Sequence, residues 1–111
     1  PFLAYSQRTW ALADGRPLHS ETGYWRPRPG GEVELTMALP TGHVEIEEGT
    51  VEGCTVSLAS RVIGASTTAK AVAELTRRLE VDGGVLRYVV AMAAVGEALQ
   101  QHLTAELHRV S

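Results

Sequence analysis

Turn-forming clusters recur at short, regular intervals along this chain, and between them apolar and polar residues alternate one by one. The clusters are Asp14-Gly15-Arg16-Pro17, Arg28-Pro29-Gly30-Gly31, Pro40-Thr41-Gly42, Glu52-Gly53 and Asp82-Gly83-Gly84. Val33, Leu35, Met37 and Leu39 alternate with Glu32, Glu34 and Thr36, while Val44 and Ile46 alternate with Glu45 and Glu47. A period of two belongs to strands with one dry and one wet face, so the apolar members are expected inside and the glutamates in solvent. Val56 and Leu58 continue the pattern; Ala71, Ala73, Leu75, Leu79 and Val81 share one parity, and Leu86, Tyr88, Val90 and Met92 another. Residues 69–80 are rich in helix formers and also admit a helical reading, with strand favoured. The pattern predicts an all-β chain of about eight short antiparallel strands, without βαβ alternation or internal repeat, and therefore a sandwich or an up-and-down β-barrel.

A chain of 111 residues suits a single domain over 1–111. With 44% hydrophobic and 21% charged residues it is expected to be globular rather than disordered. A formal charge of −3 and the lack of any Lys/Arg block argue against a nucleic-acid partner. The longest apolar run, Val89 to Val95, suits a buried strand, so no membrane partner is expected. No secretory signal can be read, and the lone Cys54 can neither close an internal disulfide nor build a thiolate metal cluster. A cytoplasmic location is therefore expected, with Cys54 as core filler. The chain opens on Pro1 and runs at once into strand-like sequence at Phe2 to Trp10, so its N-terminus is expected to be incomplete.

Few residues are available for chemistry. His19 follows a turn, His43 opens a strand, and His102 and His108 share one parity of the last strand. No metalloprotease helix, paired cysteines, nucleophile elbow or phosphate-binding glycine loop occurs. Glu32/Glu34 and Glu45/Glu47/Glu48 read as a solvated face of adjacent strands. Trp10, Tyr24 and Trp25 could stack on a flat ligand, but packing is the commoner role for such residues. His43 and His108 read as surface residues, and Met92 as a core side chain rather than an axial ligand. Taken alone, these residues specify an uncommitted β-barrel.

Three separated segments, in order, carry more. Residues 1–10 (PFLAYSQRTW), 17–30 (PLHSETGYWRPRPG), and 92–96 (MAAVG) leading to 99–105 (LQQHLTA) together resemble the nitrobindin family, haem-binding β-barrel domains also found attached to a THAP zinc finger. The resemblance implies a lipocalin-like antiparallel barrel of about ten strands in the full domain, the first strands lying before Pro1. It further implies one ferric haem b per chain, set into the barrel mouth, with His102 as the protein's iron ligand. A neutral imidazole suits haem iron, and a single axial histidine leaves the sixth position open. The family is associated with binding nitric oxide and with isomerising peroxynitrite to nitrate. His19 matches a histidine on the other side of the haem, too distant to ligate firmly. Lys70, in Thr68-Ala69-Lys70, matches a lysine near a haem edge, where its ammonium could meet a propionate. A homodimer is expected by analogy.

The chain departs from the family in two places. The Gly-x-Trp-x-Gly-x-Gly segment of the family's first strands and a threonine near the haem have no counterpart. Gln101 and Ala98 stand where proline is common, so the loop into the last strand is expected to be less rigid. Strict alternation also sets Leu103, Ala105 and Leu107 on the dry face and His102 on the wet one, so a pocket-facing His102 needs either a bulge or a place in the loop. A haem-free carrier of a small apolar ligand and a barrel used only for self-association are the alternatives.

Overall fold

Eight strands form among residues 1–94 and 96–110, the part of the chain described by a computed structural model. They are β1 (Leu3–Trp10), β2 (Pro17–Pro27), β3 (Glu32–Leu39), β4 (His43–Glu52), β5 (Thr55–Ala65), β6 (Val72–Asp82), β7 (Val85–Ala94) and β8 (Gln100–His108). Each pairs antiparallel with the next, giving one sheet in the order β1 to β8. The expected turn clusters separate the strands, and the helical reading of residues 69–80 gives way to β6. Gly30 and Gly31, at φ 80 and 78, supply the left-handed backbone that the turn after Pro29 needs.

The sheet curls so that distant strands meet across its concave side. Arg77 of β6 reaches Glu21 of β2, and Gln7 of β1 reaches Tyr88 of β7. Close interstrand approach depends on Gly23 and Gly49, where a Cβ would overlap the carbonyls of Thr36 and Ser57. The result is a half-barrel in which β1 and β8 do not pair with each other. Val33, Leu35, Met37 and Leu58 form one apolar cluster inside it, Leu75, Tyr88 and Val90 a second, and Leu79 packs against both.

The alternation identifies the strands, but the register overturns the expected faces of β4. Leu35 pairs with Glu47 and Met37 with Glu45, and directly opposed residues share a face. Leu35 and Met37 point inward, so both glutamates are carried inward with them, and Val44 and Ile46 are turned out into solvent. Glu45 and Glu47 are not part of a solvated face. In β6 the extra residue Ala73, lying between the pairs Val72↔Ala94 and Glu74↔Ala93, shifts the parity. Val72 therefore faces the interior rather than Ala71 or Ala73, while Leu75 and Leu79 stay inside as expected. Cys54 is not core filler: it is exposed in the β4–β5 turn, whose carbonyl accepts from Val81 N–H.

Candidate functional site

One end of the concave face opens as a cavity of about 220 Å³. Its walls are apolar: Leu39, Ile63, Val72, Leu75, Val90, Met92 and Leu103. Around them stand His19, Thr41, His43, Lys70 and His102, and Glu21, Glu45 and Arg77 also line it. That volume is small for a pocket enclosing a large ligand.

His102 reaches this cavity because β8 is irregular. Val90 pairs with Leu103 and Ala91 with Gln101, which leaves His102 as the extra residue of a β-bulge. Bulges re-aim a side chain that strict alternation would send to the other face, so His102 lines the cavity beside Leu103. Among the described residues, no hydrogen bond or ion pair engages the His102 ring. His19 lies on β2, with Nε2 2.7 Å from Glu21 Oε1; a carboxylate only accepts, so this nitrogen carries the proton. Lys70 is exposed at the rim, in the β5–β6 connection.

His43 is not a plain surface residue. It is half-buried at the rim, and its Nε2–H donates to the Lys70 carbonyl at 2.6 Å while Nδ1 accepts from Thr41 Oγ1 at 2.8 Å. The ring thus ties the Lys70 segment to β4. Tyr24, stacked edge-on against Phe2, and Trp25, against Tyr5, are in packing contacts, and none of Trp10, Tyr24 and Trp25 lines the cavity.

Below the cavity lies a buried polar belt that alternation did not reveal. Arg77 donates from Nη1 to Glu21 at 3.3 Å and from Nε to Glu47 at 3.4 Å, and Tyr5 OH donates to Glu21 at 2.8 Å. Burial pushes the Glu21 carboxyl up, but Arg77 and the bonds from His19 and Tyr5 outweigh it and hold the group below its ordinary value. Glu45 is pushed up to about 7, first by burial and then by the negative neighbour Glu47, against a smaller opposing pull from Arg77. Glu47 is also raised by burial, with Arg77 opposing. A legible signal existed for one member: Arg77 falls at the same parity as Leu75 and Leu79.

These shifts predict a stability profile. The folded Glu45 keeps its proton up to about pH 7, whereas the unfolded carboxyl releases it near 4.5. Its contribution is therefore complete below pH 4.5 and lost as pH rises through 7. Urea unfolding should show stability falling over that interval by on the order of 2–3 kcal/mol. Glu45→Gln should flatten the decline and be more stable than wild type at pH 8; an undiminished slope in the variant would show that another group is responsible.

A cleft with apolar walls, a bulge-turned imidazole and a lysine at its lip suits an iron porphyrin: apolar surface for the ring, a nitrogen donor for the metal, and a cation for a carboxylate edge. The chain matches the THAP4-like, heme-binding beta-barrel domain family over residues 1–109. It belongs to that family. Within the THAP4-like family it is 50% identical over 113 residues to a protein of Mycobacterium avium named peroxynitrite isomerase 2, covering 98% of this chain and 70% of that one. It is 51% identical over 116 residues to peroxynitrite isomerase 1 of Mycobacterium tuberculosis strain H37Rv, covering 98% and 71%. The crystal structure of Rv2717c from M. tuberculosis superposes with a TM-score of 0.90 at 50% identity, covering all of this chain and 73% of that chain.

Proposed function

We propose that this protein binds one haem b per chain in the cavity through His102 and isomerises peroxynitrite to nitrate, with nitric oxide as a further ligand. The observation that carries this reading is the bulge at His102, which brings an exposed imidazole to the lip of an apolar-walled cavity with no hydrogen-bond partner among the described residues. When bound, ferric haem supplies an electrophilic iron with one open coordination position, where reactant and product differ only in atom order and no outside electron is needed. His102 is the residue that holds it. Val72, Leu75, Val90 and Met92 exclude water from the ring, and Lys70, with its backbone held by His43, meets a propionate at the mouth. His19, oriented by Glu21, faces the ligand from β2.

The names of the mycobacterial relatives, at about half identity over nearly the whole chain, support the reaction. We read residues 1–111 as part of one domain and assign it to the cytoplasm on its single cysteine. No helix among the described residues is long and apolar enough to cross a membrane. A homodimer belongs to this reading, supported by the apolar side chains of Phe2, Tyr24, Val44 and Val62 exposed on the outer face.

Titration of the haem-free protein with ferric haem should give a sharpened, shifted Soret band saturating at one equivalent. Peroxynitrite should then decay faster with the loaded protein, with nitrate as the product. An unchanged haem spectrum would favour the haem-free carrier of a small apolar ligand instead.

A further inference from the structure

The cavity floor holds more negative charge than its one guanidinium balances. Glu21, Glu45 and Glu47 converge with Arg77, each of the four at most 6% exposed. Arg77 bonds Glu21 and Glu47 but not Glu45. Glu45 Oε1 and Glu47 Oε2 have no hydrogen-bond partner among the described residues, and Glu45 lines the cavity. Its ladder neighbours are Met37 on β3 and Ile63 on β5, neither of which has a hydrogen to donate. Of the titratable groups of the other elements, His19 of β2 is engaged with Glu21, Tyr5 of β1 with Glu21 and Tyr88 of β7 with Gln7, while His102 of β8 lines the same cavity and is the iron's ligand in the haem reading. His43 is taken up by Thr41 and the Lys70 carbonyl, and the Lys70 side chain stands exposed at the mouth. An ionised Glu45 would be a buried charge with no bonded counter-ion, since Arg77 is paired to Glu21 and Glu47, and it would repel any anion entering the cavity. A carboxylic acid there removes the charge and has a hydrogen to give.

We propose that Glu45 stands as a carboxylic acid in the resting protein and is the cavity's hydrogen-bond donor to an anionic oxygen ligand of the peroxynitrite and nitrate class. This rests on the haem reading of the cavity. Glu47, held by Arg77, is the carboxylate that accepts the Glu45 hydrogen at rest, and an entering anion competes with it for that hydrogen; the donor survives to neutral pH and is lost above it. The cavity therefore selects for anions on the acid side of neutrality.

Two measurements test the inference. In the haem-free protein, infrared spectra across pH should contain a protonated-carboxyl band that persists above pH 6, fades near 7 and is missing in Glu45→Gln. In the ferric haem-loaded protein, with fluoride as the probe anion, affinity should fall about tenfold from pH 6 to pH 8.5 beyond any change in Glu45→Gln, as the loss of one hydrogen bond to a charged acceptor requires. Glu45→Gln, which keeps an N–H donor, should bind with little pH dependence, and Glu45→Leu about tenfold more weakly than wild type at pH 6. A band that is absent at pH 6 or unchanged in Glu45→Gln overturns the proposal, as does a Glu45→Leu protein that holds fluoride as wild type does. Failure of the wild type to take up haem is a separate result that overturns the haem reading itself and with it this role.

Discussion

Replacing His102 by alanine should abolish the specific haem complex, weakening ferric haem binding by at least about 100-fold, the upper end of what losing even a supporting residue of a metal site costs. The remaining apolar walls can still hold a porphyrin loosely, so the expected spectrum is the broad, unshifted band of non-specific haem. The same substitution should leave the stability of the haem-free protein within about 0.5 kcal/mol of wild type, because the ring is exposed and has no hydrogen bond among the described residues. This separation of ligand loss from unfolding makes the variant informative. His108, exposed at the far end of β8 and paired with Glu106, is the control, and His108→Ala should titrate as wild type. A His102→Ala protein with an unaltered Soret titration would assign the iron to another residue.

Arg77→Leu should be the most damaging single substitution in the interior. It leaves Glu21, Glu45 and Glu47 buried together without their cation, and removing one partner from a buried ionic cluster costs about 3–5 kcal/mol. The cost should depend on pH. Without Arg77 the carboxyls hold protons to higher pH in the folded state, so the variant loses stability as pH rises through those raised values. Urea unfolding should therefore show a larger deficit at pH 8 than at pH 5. Arg78, exposed one residue on and paired with Glu80 at the surface, should tolerate the same change within about 0.5 kcal/mol. Equal deficits at the two pH values would mean that Arg77 acts through packing rather than charge.

Legibility in the chain divides along the distance over which the determining interactions act. The turns were readable because glycine and proline impose backbone geometry locally; Gly15, Gly30, Gly31, Gly42, Gly53 and Gly83 all adopt positive φ. The strands between them followed from alternation, including β6, where helix propensity competed and lost to pairing on both sides. Alternation by itself does not say which parity faces inward. In β3 the apolar residues go inside; in β4, with the same kind of pattern, the glutamates do, because the ladder sets Glu45 and Glu47 opposite Met37 and Leu35. The exception is tolerable only because Arg77 arrives from β6, thirty residues along the chain from Glu47.

His102 illustrates the same boundary at the site. Residues 99–105 were enough to single it out by resemblance, and His19 and Lys70 with it, and all three line one cavity. The direction of the His102 side chain was not readable, since it depends on a one-residue slip between β7 and β8.

The order of residues by itself determined an all-β meander and its turns, because these follow from backbone preferences and local patterns, and the family was legible only through the resemblance of three separated segments. Tertiary structure alone decided which faces turn inward, how His102 points, and that four ionisable side chains come together beneath it. Those outcomes depend on interstrand register and on contacts between residues far apart in the chain, and a one-residue shift in register exchanges a strand's two faces.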